Sequence, residues 1–142
     1  MKFLVMNGVN LNLTGKREQS VYGTATLDEI NAKISAYCKN NGDTVDFYQS
    51  NIEGELVNRL HAAFLEKSHD AIIFNAGAFT HYSYALRDAI AAIDIPVVEV
   101  HMSNVHAREA FRKNSVLSEV CKGVVCGFGV NSYIAAIAGL KA

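Results

Sequence analysis

The sequence predicts a doubly wound α/β domain built on a five-stranded parallel sheet, and three observations carry that reading. Short β-prone apolar runs alternate five times with stretches of helical periodicity. The runs AIIFN and PVVEVH are apolar almost throughout, as expected of strands covered on both faces. The chain has 142 residues, 50% of them hydrophobic, which suits one domain. A domain of that size buries roughly 68% of its extended-chain surface and needs no crosslinks.

KFLVMN, residues 2–7, is the first predicted strand and stops at Asn7 and Gly8. NGVNLNLTG follows, with three asparagines and two glycines. Such a segment builds a tight loop through side-chain to backbone hydrogen bonds, or offers amides to an oxygen-rich ligand; both readings stand for Asn12. Thr26 and Glu29 form a capping box ahead of a buried stripe of Leu27, Ile30, Ile34 and Cys38, and Asn41 with Gly42 ends that helix. VDFYQ, residues 45–49, alternates as an edge strand does. Ser50 and Glu53 repeat the box before Val57, Leu60 and Phe64, although Gly54 weakens the first turn. AIIFN, residues 71–75, is the third strand. Ala85, Leu86, Ala89, Ile90 and Ile93 mark the next helix, which ends before Pro96. PVVEVH, 96–101, and GVVCGFG, 123–129, complete the strands. A last helix around 131–140 carries Ile134, Ile137, Ala138 and Leu140. Short βαβ connections and right-handed crossovers restrict the topology, and among the known folds they permit the reading is a flavodoxin-like order 2-1-3-4-5. No repeat or linker divides residues 1–142.

Composition narrows the function classes. The net charge is -1, from 13 basic and 14 acidic side chains with no long run of either sign. That excludes the electrostatic footprint of a nucleic-acid or acidic-membrane binder and leaves room for a local cationic pocket around a small anion. Cys38, Cys121 and Cys126 are odd in number and lack a CxxC pair, so free thiols in a reducing compartment, the cytoplasm, are expected. Cys38 and Cys121 are read as packing residues. MKFLVMNG is too short an apolar run for a secretion signal, and no run reaches membrane-spanning length. The absence of HExxH or a short His/Cys ligand motif argues against a metal site.

The chemistry collects at strand ends. Asn7, Asn75 and His101 close strands one, three and four, which in a parallel sheet share one rim where the strand order reverses. Each alone suits a turn cap; together, with His101 inside VEVHMSN, they suit a site. Strand periodicity sets Glu99 and His101 on the same side. GKREQSVYG, residues 15–23, holds Arg17 and Tyr22 on a polar, glycine-flanked segment read as a lid over 15–24.

These residues bring the chain close to a known family. NGVNLNLTGKRE with VYG, DFYQSNIEGELVNRLHAA, IIFNAGAFTHYSYALRDAI, VVEVHMSN, REAFRKNS and GVVCGFGVNSYIAAI run in order along nearly the whole sequence, and they resemble type II 3-dehydroquinate dehydratase. The resemblance implies a flavodoxin-like subunit, a homododecamer made of trimers, no metal or organic cofactor, and loss of water from 3-dehydroquinate to give 3-dehydroshikimate. It implies anti elimination through an enol or enolate, with Tyr22 as base, Arg17 favouring its phenolate and His101 as acid. It also implies that Asn12 steadies the enolate and Glu99 orients the imidazole. Asn75 and the backbone amides near Met102 and Ser103 would bind substrate, the latter as a carboxylate clamp, while His81 and Arg112 would take ring hydroxyls. Asp88 would reach the site of a neighbouring subunit and support its Arg112. Arg108, four residues before Arg112, is expected to be solvated.

The physics of those roles is intelligible. A free phenol has a pKa of about 10 and needs local support to act as a base near neutrality. An imidazolium can protonate a poor leaving group, and a carboxylate beside it favours that form. Val9, Gln19 and Ala76 stand where the family pattern has prolines and Phe79 where it often has tyrosine; the loss at Gln19 predicts a more mobile lid. Rival readings are weaker. GFGVNS lacks the third glycine of a dinucleotide fingerprint and follows the last strand, and the strand-end acids of a receiver domain are replaced by Asn7 and Asn75.

Overall fold

The computed structural model describes residues 1–142. Five parallel strands, β1 (Lys2–Asn7), β2 (Thr44–Gln49), β3 (Ala71–Asn75), β4 (Val97–His101) and β5 (Gly123–Cys126), form one sheet in the order β2-β1-β3-β4-β5. The predicted order is the observed one. A short helix α1 (Gln19–Tyr22) precedes α2 (Leu27–Asn40), α3 (Glu53–Glu66), α4 (Tyr84–Ala92) and α5 (Asn131–Lys141).

Strand alternation decides which helix packs where. Phe3 and Val5 of β1 face Ile30 and Ile34 of α2 and Tyr133 and Ile137 of α5 in one buried cluster. Leu4 and Met6 point the other way, onto Leu56 and Leu60 of α3 and Leu86 and Ile90 of α4. A fully buried side chain of this kind contributes about 1.5–3 kcal/mol relative to leaving it exposed, so both faces of β1 anchor the fold. No helix is long and apolar enough to cross a membrane.

Three sequence expectations shift. Thr26 caps α2 as predicted, accepting from the Glu29 amide, but Ser50 does not cap α3. Its hydroxyl instead accepts from the Ile52 amide at 2.9 Å and donates to Glu55, while Glu53 accepts from the Ser83 hydroxyl of the α4 cap. The serine is consumed by its own turn, and α3 starts after Ile52 without a side-chain cap. In α5 the buried residues are Ser132, Tyr133, Ala136 and Ile137, whereas Ala138 is exposed. That segment is apolar on nearly every side, so periodicity could not choose its inner face. The fifth strand ends at Cys126, because Gly127 and Gly129 take positive φ and turn the chain into α5.

Candidate active site

The parallel register sets Asn7 beside Asn75, and His101 closes β4, so the three predicted strand ends share one rim. The chain leaves β1 through Gly8, whose amide donates to the Asn75 carbonyl at 2.7 Å. A Cβ at Gly8 would lie 2.3 Å from the Ala76 carbonyl oxygen, so only glycine permits this closeness of the two strand ends. Asn10 then adopts a left-handed conformation (φ 67°), held by the Asn51 side-chain oxygen on its amide at 2.9 Å. The following 3-10 turn, Leu11–Leu13, buries Leu11 and turns Asn12 out to solvent.

A cavity of about 170 Å³ opens over this rim. Its wall includes Asn10, Arg17, Tyr22, Asn75, His81 and His101, together with Met102, Ser103, Arg108 and Arg112. Three arginines and no carboxylate line it, so the space favours an anion.

Tyr22 enters from segment 15–24. Gly15 (φ 89°) and Gly23 (φ 80°) bracket that segment, and α1 points the phenol inward. The Gln19 side-chain amide donates to the Gly15 carbonyl at 2.9 Å, tying the start of α1 back to the start of that segment. Two guanidinium groups flank the ring, with Cζ of Arg17 at 4.7 Å and that of Arg108 at 5.1 Å from its centroid. Arg108 Nη1 also donates to the Tyr22 oxygen at 2.9 Å and to Ser103 Oγ at 3.2 Å. The expectation of a solvated Arg108 is therefore overturned: its side chain is 12% exposed. The usual exposure of charged residues misled it: Arg108, in extended backbone between two 3-10 turns, Val105–Ala107 and Ala110–Lys113, lies over the cavity.

His101 enters from the sheet. Its Nε2 and Glu99 Oε2 are 2.6 Å apart, and both side chains are buried. Glu99 Oε1 accepts from the Ser115 and Ser118 hydroxyls, each at 2.8 Å. Burial acts to raise the Glu99 carboxyl, but the bond and charge of His101 and the two hydroxyls outweigh it and hold the group below its ordinary value. A fixed anion thus grips one ring nitrogen, leaving Nδ1 without a protein partner.

The remaining donors have defined polarity. The Met102 and Ser103 amides have no protein acceptor, so the turn after β4 presents two free N–H groups. His81 Nδ1 lies 2.8 Å from the Asn114 carbonyl, which can only accept. Nδ1 therefore carries a proton and donates to that carbonyl, which leaves Nε2 facing away from it. The ring also packs edge-on against Phe111, with centroids 5.6 Å apart. Arg112 is anchored by Glu109 at 3.0 Å.

A family model described as "Dehydroquinase class II" matches residues 1–141. The chain belongs to the class II dehydroquinase family. A 3-dehydroquinate dehydratase of Pelotomaculum thermopropionicum is 56% identical over 137 residues, covering 96% of this enzyme and 94% of its own length. One from Pelobacter propionicus is 54% identical over 132 residues, covering 93% and 88%. The crystal structure of the type II dehydroquinase from Butyrivibrio crossotus superposes with a TM-score of 0.97 at 45% identity, covering 100% of this enzyme and 98% of that chain. The flavodoxin-like reading of the sheet agrees with that likeness.

Of the residues singled out from sequence, Tyr22, Arg17, His101, Asn75, His81, Met102, Ser103 and Arg112 line the cavity of this enzyme, with Glu99 directly behind His101. Asn12 does not line it, whereas Asn10 does. Asp88 is absent from the wall as well; its carboxylate is 77% exposed and meets only Arg87 of its own helix, at 3.3 Å.

Proposed function

We propose that this cavity is where the enzyme removes water from 3-dehydroquinate to give 3-dehydroshikimate, with Tyr22 and His101 as the two proton-transfer groups. As a class II dehydroquinase the enzyme is a hydro-lyase. The observation that carries the assignment of roles is the pairing of a phenol braced by two arginines with an imidazole braced by a carboxylate, both facing one cationic cavity.

Tyr22 takes the proton beside the ketone. The Arg108 hydrogen bond and the Arg17 guanidinium over the ring stabilise the phenolate, an effect that grows as the closed site excludes water. An enol or enolate follows. We assign its stabilisation to Asn10 rather than Asn12, since Asn10 is the asparagine of that loop on the cavity wall. His101 then protonates the departing hydroxyl from Nδ1, and Glu99 stabilises the imidazolium beforehand. The Met102 and Ser103 amides clamp the substrate carboxylate. Asn75 binds near the leaving oxygen, and His81 and Arg112 take ring hydroxyls. Two proton carriers on different elements, the lid and β4, suit an anti elimination.

The route requires no metal or organic cofactor, and chelation should leave the rate unchanged. A homododecamer of trimers is the assembly we propose, with Asp88 supporting Arg112 of a neighbouring subunit. The exposure of Asp88, away from its own cavity, supports that role. Three free cysteines support a cytoplasmic setting.

The direct test is ultraviolet absorbance on adding 3-dehydroquinate, because the product is a conjugated enone. Absorbance should rise with enzyme concentration; a flat trace would overturn the reading.

A further inference from the structure

Beneath the cavity runs a chain of three buried polar groups. Tyr133 of α5 is fully buried, and its hydroxyl is the only polar atom that it brings into the apolar cluster beside β1. That hydroxyl donates to Asn7 Oδ1 at 2.6 Å and accepts from Asn75 Nδ2 at 2.9 Å. Asn7 and Asn75 are the paired ends of β1 and β3, 1% and 3% exposed. At its other end, Asn75 Oδ1 accepts from the Gly77 amide at 3.2 Å.

Donor and acceptor counting makes this arrangement directional. A backbone N–H can only donate, so Gly77 requires the amide oxygen of Asn75. Gly77 has a φ of 64°, and a Cβ there would lie 2.8 Å from the Val9 carbonyl oxygen, so this turn requires glycine. The amide nitrogen of Asn75 must then face Tyr133. A phenol carries one hydrogen, which is committed to Asn7, so its oxygen is free to accept from that nitrogen. Turning the Asn75 amide over would oppose its nitrogen to the Gly77 N–H and leave both donors unpaired at a buried site. One amide hydrogen of Asn75 remains without a protein partner, and Asn75 lines the cavity.

We infer that Tyr133 is a positioning residue for the reaction: its hydroxyl, at the opposite end from the Gly77 N–H, completes the clamp on the Asn75 amide so that an N–H, and not the carbonyl, is turned to the substrate. A donor there recognises an oxygen bearing lone pairs, such as a hydroxyl leaving as water, and disfavours a group that can only donate. Tyr133 touches no substrate and acts entirely through Asn75. The inference rests on the assignment of Asn75 to substrate binding.

A double-mutant cycle tests it. Tyr133→Phe removes one oxygen, leaves the Asn75 amide held by the Gly77 N–H alone and so less firmly aimed, and should lower kcat/KM by about 2- to 12-fold, the range for one neutral hydrogen bond. In the Asn75→Ala background the same change should alter kcat/KM by less than about 2-fold, because the group that it positions is gone. Melting temperature should fall on adding Tyr133→Phe in both backgrounds, which separates packing from positioning. Should Tyr133→Phe not fold, Asn7→Ala is the substitute. It removes the acceptor that commits the phenol hydrogen, loosens the hydroxyl that accepts from Asn75, and should give a loss in the same direction but no larger, again cancelled by Asn75→Ala. Equal fold-losses in both backgrounds, or an unchanged kcat/KM in Tyr133→Phe while Asn75→Ala is impaired, would overturn the positioning role alone. A fully active Asn75→Ala would remove the role of Asn75 in binding as well.

Discussion

Replacing Arg108 by alanine probes the least expected contact in the site. The side chain donates to the Tyr22 oxygen at 2.9 Å and to Ser103 at 3.2 Å, and with 12% exposure it is poorly screened by solvent. A hydrogen bond from a charged donor contributes about 1.5–3 kcal/mol. Full Coulomb attraction between unit charges near 4 Å would give about 4 kcal/mol at an effective dielectric of 20, which sets a ceiling for a phenolate partner. Loss of the bond should therefore lower kcat/KM by roughly 10- to 150-fold. Arg108→Lys, which keeps the charge but loses the planar fork, should fall between the two. The assay is the rate of enone absorbance from 3-dehydroquinate, with thermal melting to confirm folding. A folded Arg108→Ala enzyme within about 2-fold of wild type would refute the claim that this guanidinium supports the base.

Other expectations follow from the same geometry. Glu99 has its carboxyl held below the ordinary 4.5, so its contribution to stability is complete above that value and disappears as pH falls through the lowered one. Melting curves of wild type and Glu99→Gln should thus converge on acidification below about pH 4.5. Gly8→Ala would drive a Cβ into the Ala76 carbonyl and should cost about 1–3 kcal/mol in urea unfolding. At Gln19, the first residue of α1, Gln19→Pro should slow proteolysis of segment 15–24 if Glu18 moves out of its left-handed conformation, while Gln19→Ala, which loses the bond to Gly15, should hasten it. Equal cleavage rates for all three proteins would argue against a mobile lid.

How much of this was legible in the sequence depended on range. Strands announced themselves as apolar runs, and their order was a choice among known doubly wound solutions that crossover rules permit; with that choice the rim of Asn7, Asn75 and His101 followed. The Glu99–His101 pair was legible too, since alternation along one strand puts both on the same side. Where the backbone leaves regular geometry, spacing stopped being informative. Asn10 and Asn12 look equivalent in NGVNLNLTG, and only the left-handed turn at Asn10 and the 3-10 turn after it decide which one faces inward. Arg108 and Arg112 suggested one helical face, yet the segment is broken into short 3-10 turns. Nothing in the sequence singled out Tyr133, because its hydrogen-bond partners lie 126 and 58 residues away. No local pattern reports contacts of that range.

The central claim is that Tyr22 removes the substrate proton, and Tyr22→Phe tests it with the loss of a single oxygen. The variant should keep its melting temperature within a few degrees, yet turn over 3-dehydroquinate about 100- to 10,000-fold more slowly, the usual contribution of a positioned acid or base. A folded Tyr22→Phe enzyme forming enone at near wild-type rate would contradict the account.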